Sequence, residues 1–134
     1  MSIITKRMSK IIGMCVIGFG ALMFAVAVFA YNGPYSYDAI VPSFGIPNWY
    51  SAPKPASGSK QYNTVSSIGG GYDGDISGWI SDGNGNAISS SYDLYSGKTY
   101  YYNTSATKGS KVELSMDTHI WVPVNVEVRG FWGS

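Results

Sequence analysis

The sequence predicts an all-β protein, a small antiparallel β-sandwich preceded by an N-terminal signal-peptide helix. Three observations carry that expectation. Between Lys111 and Trp132, apolar and polar residues alternate strictly: Val112, Leu114 and Met116 in one arm, then Val122, Val124, Val126 and Val128 in the other. Side chains on a strand point to opposite faces at every second residue, so each arm has one apolar and one wet face. Turn residues (Gly69-Gly70-Gly71, Asp82-Gly83-Asn84-Gly85, Gly97, Lys108-Gly109-Ser110) punctuate short β-tolerant runs, the spacing of a sandwich or small barrel. Beyond residue 30 no helical periodicity and no internal repeat appears.

Residues 1–30 read as an export signal. Lys6, Arg7 and Lys10 precede a chargeless run, Ile11 to Ala30, which ends in Val28-Phe29-Ala30. A basic start, an apolar stretch and a small-x-small exit are the parts of a secretory signal peptide, with cleavage expected after Ala30 and a cut after Ala27 as a variant. The apolar run is also long enough for an uncleaved membrane anchor over residues 11–30, the competing reading. Cys15 does not suit lipid attachment, because bulky Met14 precedes it. The 104 residues after Ala30 keep six basic residues against eight acids, a net charge of −2. That balance lacks the basic field that nucleic acid requires, and the only membrane contact expected is through the signal peptide. They contain no cysteine, which suits Gram-positive export. Stability must come from burying rings instead: all eleven Tyr and all four Trp lie here, each able to cover about 150–250 Å².

Residues 31–60 hold five of the six prolines and form an aromatic, proline-rich N-terminal arm and loop. Asp38 to Val41 is a short first strand, limited by Pro42 and Pro47; Ser51 to Lys60 is an exposed loop. The arm is either a partner-binding segment or, the reading favoured, a strand and loop laid over the core. Residues 61–134 are the sandwich core. Gln61 to Ile68 is a strand ended by the three glycines. Ile76 to Ser81 is another, turned by Asp82 to Asn86, since Asp-Gly and Asn-Gly supply the positive φ such turns need. Ala87 to Tyr95 returns, and Lys98 to Thr104 is the next strand. The two arms of 111–132 are expected to close a hairpin. With Asp117 opposite Trp121, the favoured register, Thr118-His119-Ile120 is the loop and Lys111 faces Glu127. A slip of two pairs sets Glu113 opposite Arg129, while the intermediate slip opposes like charges. Pro123 cannot donate to a ladder, so the second arm is at an edge there or only entering the sheet.

Catalytic chemistry has little foothold. His119 is the only histidine and falls in the expected turn, and there is no Gly-x-Ser-x-Gly elbow, P-loop or thiol nucleophile. The chain is expected not to be an enzyme, with no catalytic residues, no metal and no cofactor. Asp82, Asn84, Asn86 and Asp93 have the oxygen spacing of an EF-hand loop, but Ala87 replaces the glycine of the bend and Asp93 the bidentate glutamate. A plain hairpin turn accounts for the same residues. The remaining signal is aromatic. Tyr101 must face away from Tyr100 and Tyr102, and Trp79, Trp121 and Phe131 fall opposite their aliphatic neighbours. Trp79, Tyr100, Tyr101, Tyr102 and Trp121 are therefore the candidate binding residues: rings exposed on a sheet stack on sugars or seat a lipid head group or protein. The competing account is that they cover the second side of a small sandwich.

The stretches Gly78-Trp79-Ile80-Ser81-Asp82-Gly83-Asn84-Gly85, Gly97-Lys98-Thr99-Tyr100-Tyr101-Tyr102, Lys108 to Leu114 and Val128-Arg129-Gly130-Phe131-Trp132 resemble a family of small, uncharacterised secreted proteins of Gram-positive bacteria. That family is distantly similar to the lactococcin-type bacteriocins, unmodified secreted β-sandwiches that block septum formation in sensitive cells. The resemblance spans roughly the last 75 residues. The chain differs from that group in length, in its proline-rich arm and in lacking a histidine-rich stretch, and no functional residue carries over. What it implies is a secreted, non-catalytic protein that binds a cell-envelope component, a lipid-linked precursor or a polysaccharide. A wall-associated structural or carbohydrate-binding module is the alternative.

Overall fold

Two antiparallel sheets pack face to face and enclose one apolar core. The structure, a computed structural model, describes residues 30–134; the expected signal peptide and its cleavage site lie essentially outside the described residues. Nine strands follow in order: β1 (Tyr35–Val41), β2 (Trp49–Tyr50), β3 (Lys54–Pro55), β4 (Lys60–Ile68), β5 (Ile76–Asp82), β6 (Tyr92–Asp93), β7 (Thr99–Asn103), β8 (Lys111–Thr118) and β9 (Val126–Gly133). Sheet A has the order β2–β8–β5–β6, with β3 also paired to β8; sheet B has the order β1–β9–β4–β7. Among the described residues no helix is long and apolar enough to cross a membrane.

The alternation in the 111–132 stretch holds where the strands form. Val112, Leu114 and Met116 on β8 and Val126, Val128 and Trp132 on β9 are buried. The expected hairpin, however, does not form. β8 pairs with β2, β3 and β5, whereas β9 pairs with β1 and β4. None of the considered registers exists: Glu113 lies opposite Ser81, and Arg129 between Asp38 and Ser67. The physical reason is that alternation reports which face of a strand is apolar and not which strand lies beside it. Side by side, the two arms would present one apolar surface with nothing to cover it; in opposite sheets each helps to bury the other's layer. The connection is held as an arch. Thr118 donates its hydroxyl proton to Pro42 O (2.6 Å) and accepts from Gly45 N (2.8 Å), while Val122 O accepts from Phe44 N (2.8 Å). Pro123, without an N–H, lies in this arch outside any strand.

The N-terminal stretch supplies strands to both sheets. β1 runs longer than its Asp38–Val41 nucleus, starts at Tyr35 and pairs along seven residues of β9 as the edge of sheet B. Its neighbours Pro34 and Pro42 stand just beyond its ends, where a missing donor breaks no ladder. The strand over 61–68, its glycine turn and the strand over 98–104 fall where expected, as β4, a 3-10 turn at Gly69–Gly71, and β7. A bulge at the Arg129/Gly130 step of β9 shifts its register on β4.

The turn after β5 is built by Asp82, whose carboxylate accepts from Asn84 N (2.8 Å) and Asn86 N (3.0 Å). These bonds favour the ionised form and hold the Asp82 carboxyl below its ordinary value. Asp93 pairs with Ser77 near the opposite end of β5, about 16 Å from Asp82 at strand rise, so the EF-hand spacing does not become a ligand cluster. A lowered folded-state value means the carboxylate stabilises the fold above the unfolded pKa and loses that contribution as pH falls through the folded one. Asp82→Ala is therefore expected to lower the Tm at pH 7, with the gap to wild type closing as pH drops below 3.8, the ordinary value. Thermal melts across pH 2–7 read this out, and a gap that widens in acid would refute it.

Candidate ligand-binding surfaces

The outward face of sheet A carries one ordered patch. Directly opposed strand residues share a face, so the pairings define its rows: Tyr50, Ser115 and Trp79 in one, Asp117, Ser77 and Asp93 in the next. Ser81, in the neighbouring row opposite Glu113, joins Ser115 hydroxyl to hydroxyl at 2.7 Å, and Trp79 Nε1 donates to Ser81 Oγ at 3.1 Å. The two serines are fully buried although they face outward, which places Trp79 and its neighbours as a cover over them. Glycine at 78 on the inward side leaves room for Leu94 and the Tyr102 hydroxyl beneath the strand.

The second row is capped by the arch. His119 lies with its side chain only 17% exposed, not in open solvent as its turn position suggested. Its Nε2 is 3.1 Å from both Ser77 Oγ and Asp93 Oδ1, and its backbone N–H donates to Asp75 O at 2.9 Å. Trp121 stands edge-on to the imidazole with ring centroids 4.6 Å apart, and its Nε1 donates to Asp75 Oδ1 at 3.2 Å. The indole is thus fixed at two points while 65% of it faces solvent. Gly45, Ser77, Asp117, Thr118, Ile120 and Trp121, with His119, line a shallow depression of about 270 Å³. Burial pushes the Asp117 carboxyl above the usual aspartate range, with His119 pulling it back.

Serine, histidine and aspartate meet here, yet the arrangement is not that of a nucleophile relay. A relay needs one imidazole nitrogen for the hydroxyl and the other for the orienting carboxylate. In this site Ser77 and Asp93 converge on the same nitrogen. Nδ1 is buried without a hydrogen-bond partner, and Asp75 Oδ1 is 3.9 Å away. Among the described residues no group of three or more His, Cys, Asp or Glu side chains is placed to hold a metal ion. What the patch can do is present a fixed indole beside hydroxyls and carboxylates, the chemistry of stacking combined with hydrogen bonding.

The five sequence-derived candidates separate. Trp79 and Trp121 share sheet A's outer side. Tyr101 is 62% exposed on the outer face of sheet B, within a ring cluster of Tyr31, Tyr62 and Phe131. Tyr100 and Tyr102 fall on the opposite face, as the alternation requires, and that face is the inward one, which removes them as surface binding residues. The Tyr100 hydroxyl accepts from Tyr95 N at 2.7 Å, and Tyr102 is 2% exposed in the core, out of reach of a bulky ligand. Burial drives the Tyr102 hydroxyl, like that of Tyr37, well above the usual tyrosine range. The sequence reading missed the contribution of Asp75, Asp93 and Ser77 to the Trp121 patch. It also missed a groove of about 420 Å³ at the sandwich edge, where Tyr35, Tyr37, Trp49 and Trp132 meet Lys54. No local signal could have found either, because both join residues that only the sheet pairing brings together. No protein-family model matches the chain, and a comparison with curated proteins returns no match either.

Proposed function

We propose that the protein is an exported, non-catalytic β-sandwich that binds a component of the bacterial cell envelope through the outer face of sheet A. The observation that carries this reading is Trp121: an indole held by Asp75 and His119 and still two-thirds exposed. A large ring left in water while its orientation is fixed gains little for the fold and much for a ligand, because the ordering cost is already met. Hydroxyl and carboxylate groups around it supply partners for a polar, ring-containing ligand such as a sugar or the glycan head of a lipid-linked precursor. Export is read from the basic and apolar organisation of residues 1–30, and bacteriocin-like action on growing Gram-positive cells from the family resemblance.

A wall-associated carbohydrate-binding module is the second reading, favoured by the same flat aromatic face if binding brings no killing. The full chain, spotted on lawns of growing Gram-positive bacteria and mixed in parallel with isolated cell walls, separates the two. Clear zones support the bacteriocin-like reading; wall retention without zones supports the module. In either case Trp121→Ala is expected to weaken the effect at least tenfold with an unchanged melting curve, since the ring is outside the core. Undiminished binding by that variant would overturn the assignment of the face.

A further inference from the structure

We propose that the groove at the sandwich edge is a second binding site, and that it takes a sugar bearing a carboxylate on the ring, a uronic acid unit of an acidic polysaccharide. The groove exists because of a size mismatch. Between β2 and β3 the chain detours through Ser51-Ala52-Pro53, whose small side chains leave unfilled the space in front of Tyr35, Tyr37, Trp49 and Trp132. Ser51 is pinned by donating its backbone N–H to Leu114 O (2.9 Å) and accepting Leu114 N–H on its hydroxyl (2.9 Å), so the detour is a fixed feature of the edge. The rings brace one another in pairs: Tyr35 with Trp132 (centroids 5.6 Å apart) and Tyr37 with Trp49 (5.9 Å). Tyr37 is further locked by donating its hydroxyl proton to Asn63 Oδ1 at 2.7 Å. Three partly exposed rings, Tyr35, Tyr37 and Trp49, stand around the open volume over the buried Trp132 and offer the faces on which a pyranose stacks.

The charge in the groove chooses among sugars. Lys54 Nζ stands 4.7 Å from the centre of the Tyr35 ring and makes no ion pair among the described residues. The one carboxylate in the lining, Asp38, is engaged by Arg129 at 3.4 Å. The groove therefore offers a cation that rests on a ring and has no carboxylate partner among the described residues. A charge placed among the rings matches an anion carried on the stacked sugar itself, as the carboxylate of a uronic acid is. A glycerol phosphate polymer carries the same charge per unit but no pyranose ring, so it would leave the aromatic lining without a stacking partner.

The test is calorimetric titration of the full chain with three probes: a galacturonic acid tetramer, the same tetramer as its methyl ester, and a glycerol phosphate oligomer of equal charge. The tetramer is expected to bind at least tenfold more tightly than the ester, with affinity falling as salt is raised. Lys54→Met should abolish that preference, and Ala52→Trp, which fills the groove without replacing any ring of its wall, should abolish binding of both sugars. The preference for acid over ester is read through Lys54 and should persist in Trp121→Ala, so failure here and failure of the sheet A assignment are told apart. Equal affinity for acid and ester, no binding of either, or tighter binding of the phosphate oligomer would overturn the proposal.

Discussion

Gly130→Ala is expected to be the most damaging methyl group that can be added at a described glycine. Gly130 lies on the inward side of β9, at the step where the bulge shifts the register with β4. A Cβ there would fall inside contact distance of the Thr64 carbonyl oxygen and 2.8 Å from the Tyr37 hydroxyl. The first neighbour is backbone in a paired strand, and the second is fixed by Asn63, so neither can withdraw cheaply. Relief requires separating β9 from β4 in the middle of sheet B, a cost of about 3 kcal/mol or more, a large share of the 5–15 kcal/mol typical of whole domains. Chemical denaturation against wild type measures it, with Gly58→Ala as the companion. Gly58 has open space around the added methyl, and its replacement should be neutral or raise stability by up to about 1 kcal/mol. Similar midpoints for the two variants would refute the packing argument.

Trp132→Ala is expected to cost about 3–5 kcal/mol, the range for deleting a buried aromatic side chain. The indole is 1% exposed, packs on Tyr35 and floors the edge groove. Its neighbour Phe131 points the other way, 37% exposed beside Tyr62, and Phe131→Ala should cost far less. The pair therefore measures the alternation itself. Urea midpoints that rank the two variants in the opposite order would mean that β9 is inverted relative to the structure.

Which faces are apolar was legible along almost every strand, because burial acts locally on side-chain parity. Val112, Leu114, Met116 and Val128 went inward as their spacing demanded, and Tyr101 went to the face opposite Tyr100 and Tyr102, although spacing alone did not say which of those faces is wet. Partnership was not legible. A turn-rich connection with His119 and Pro123 can close a hairpin or arch between layers, and the choice is made by Thr118 bonding to Pro42 and Gly45, more than seventy residues away. The same blindness hid the candidate site. Asp75, Ser77 and Asp93 reach His119 only through the pairing of β5 with β6 and the arch after β8, and an isolated histidine in an expected turn looked like a solvated one.

The placement of β9 has a consequence for the order of events during folding. It is the last strand in the sequence, Val126–Gly133, yet it lies between β1 and β4, so the first-made and a middle strand both await it. β8 stands likewise between β2 and β5. A growing chain can therefore complete neither sheet until its final strands are available, and the pairings that then close span nearly the whole sequence. Topology of this kind folds slowly and all at once. Until β9 arrives, β1 and β4 lack the strand that lies between them, and their facing edges stay unpaired.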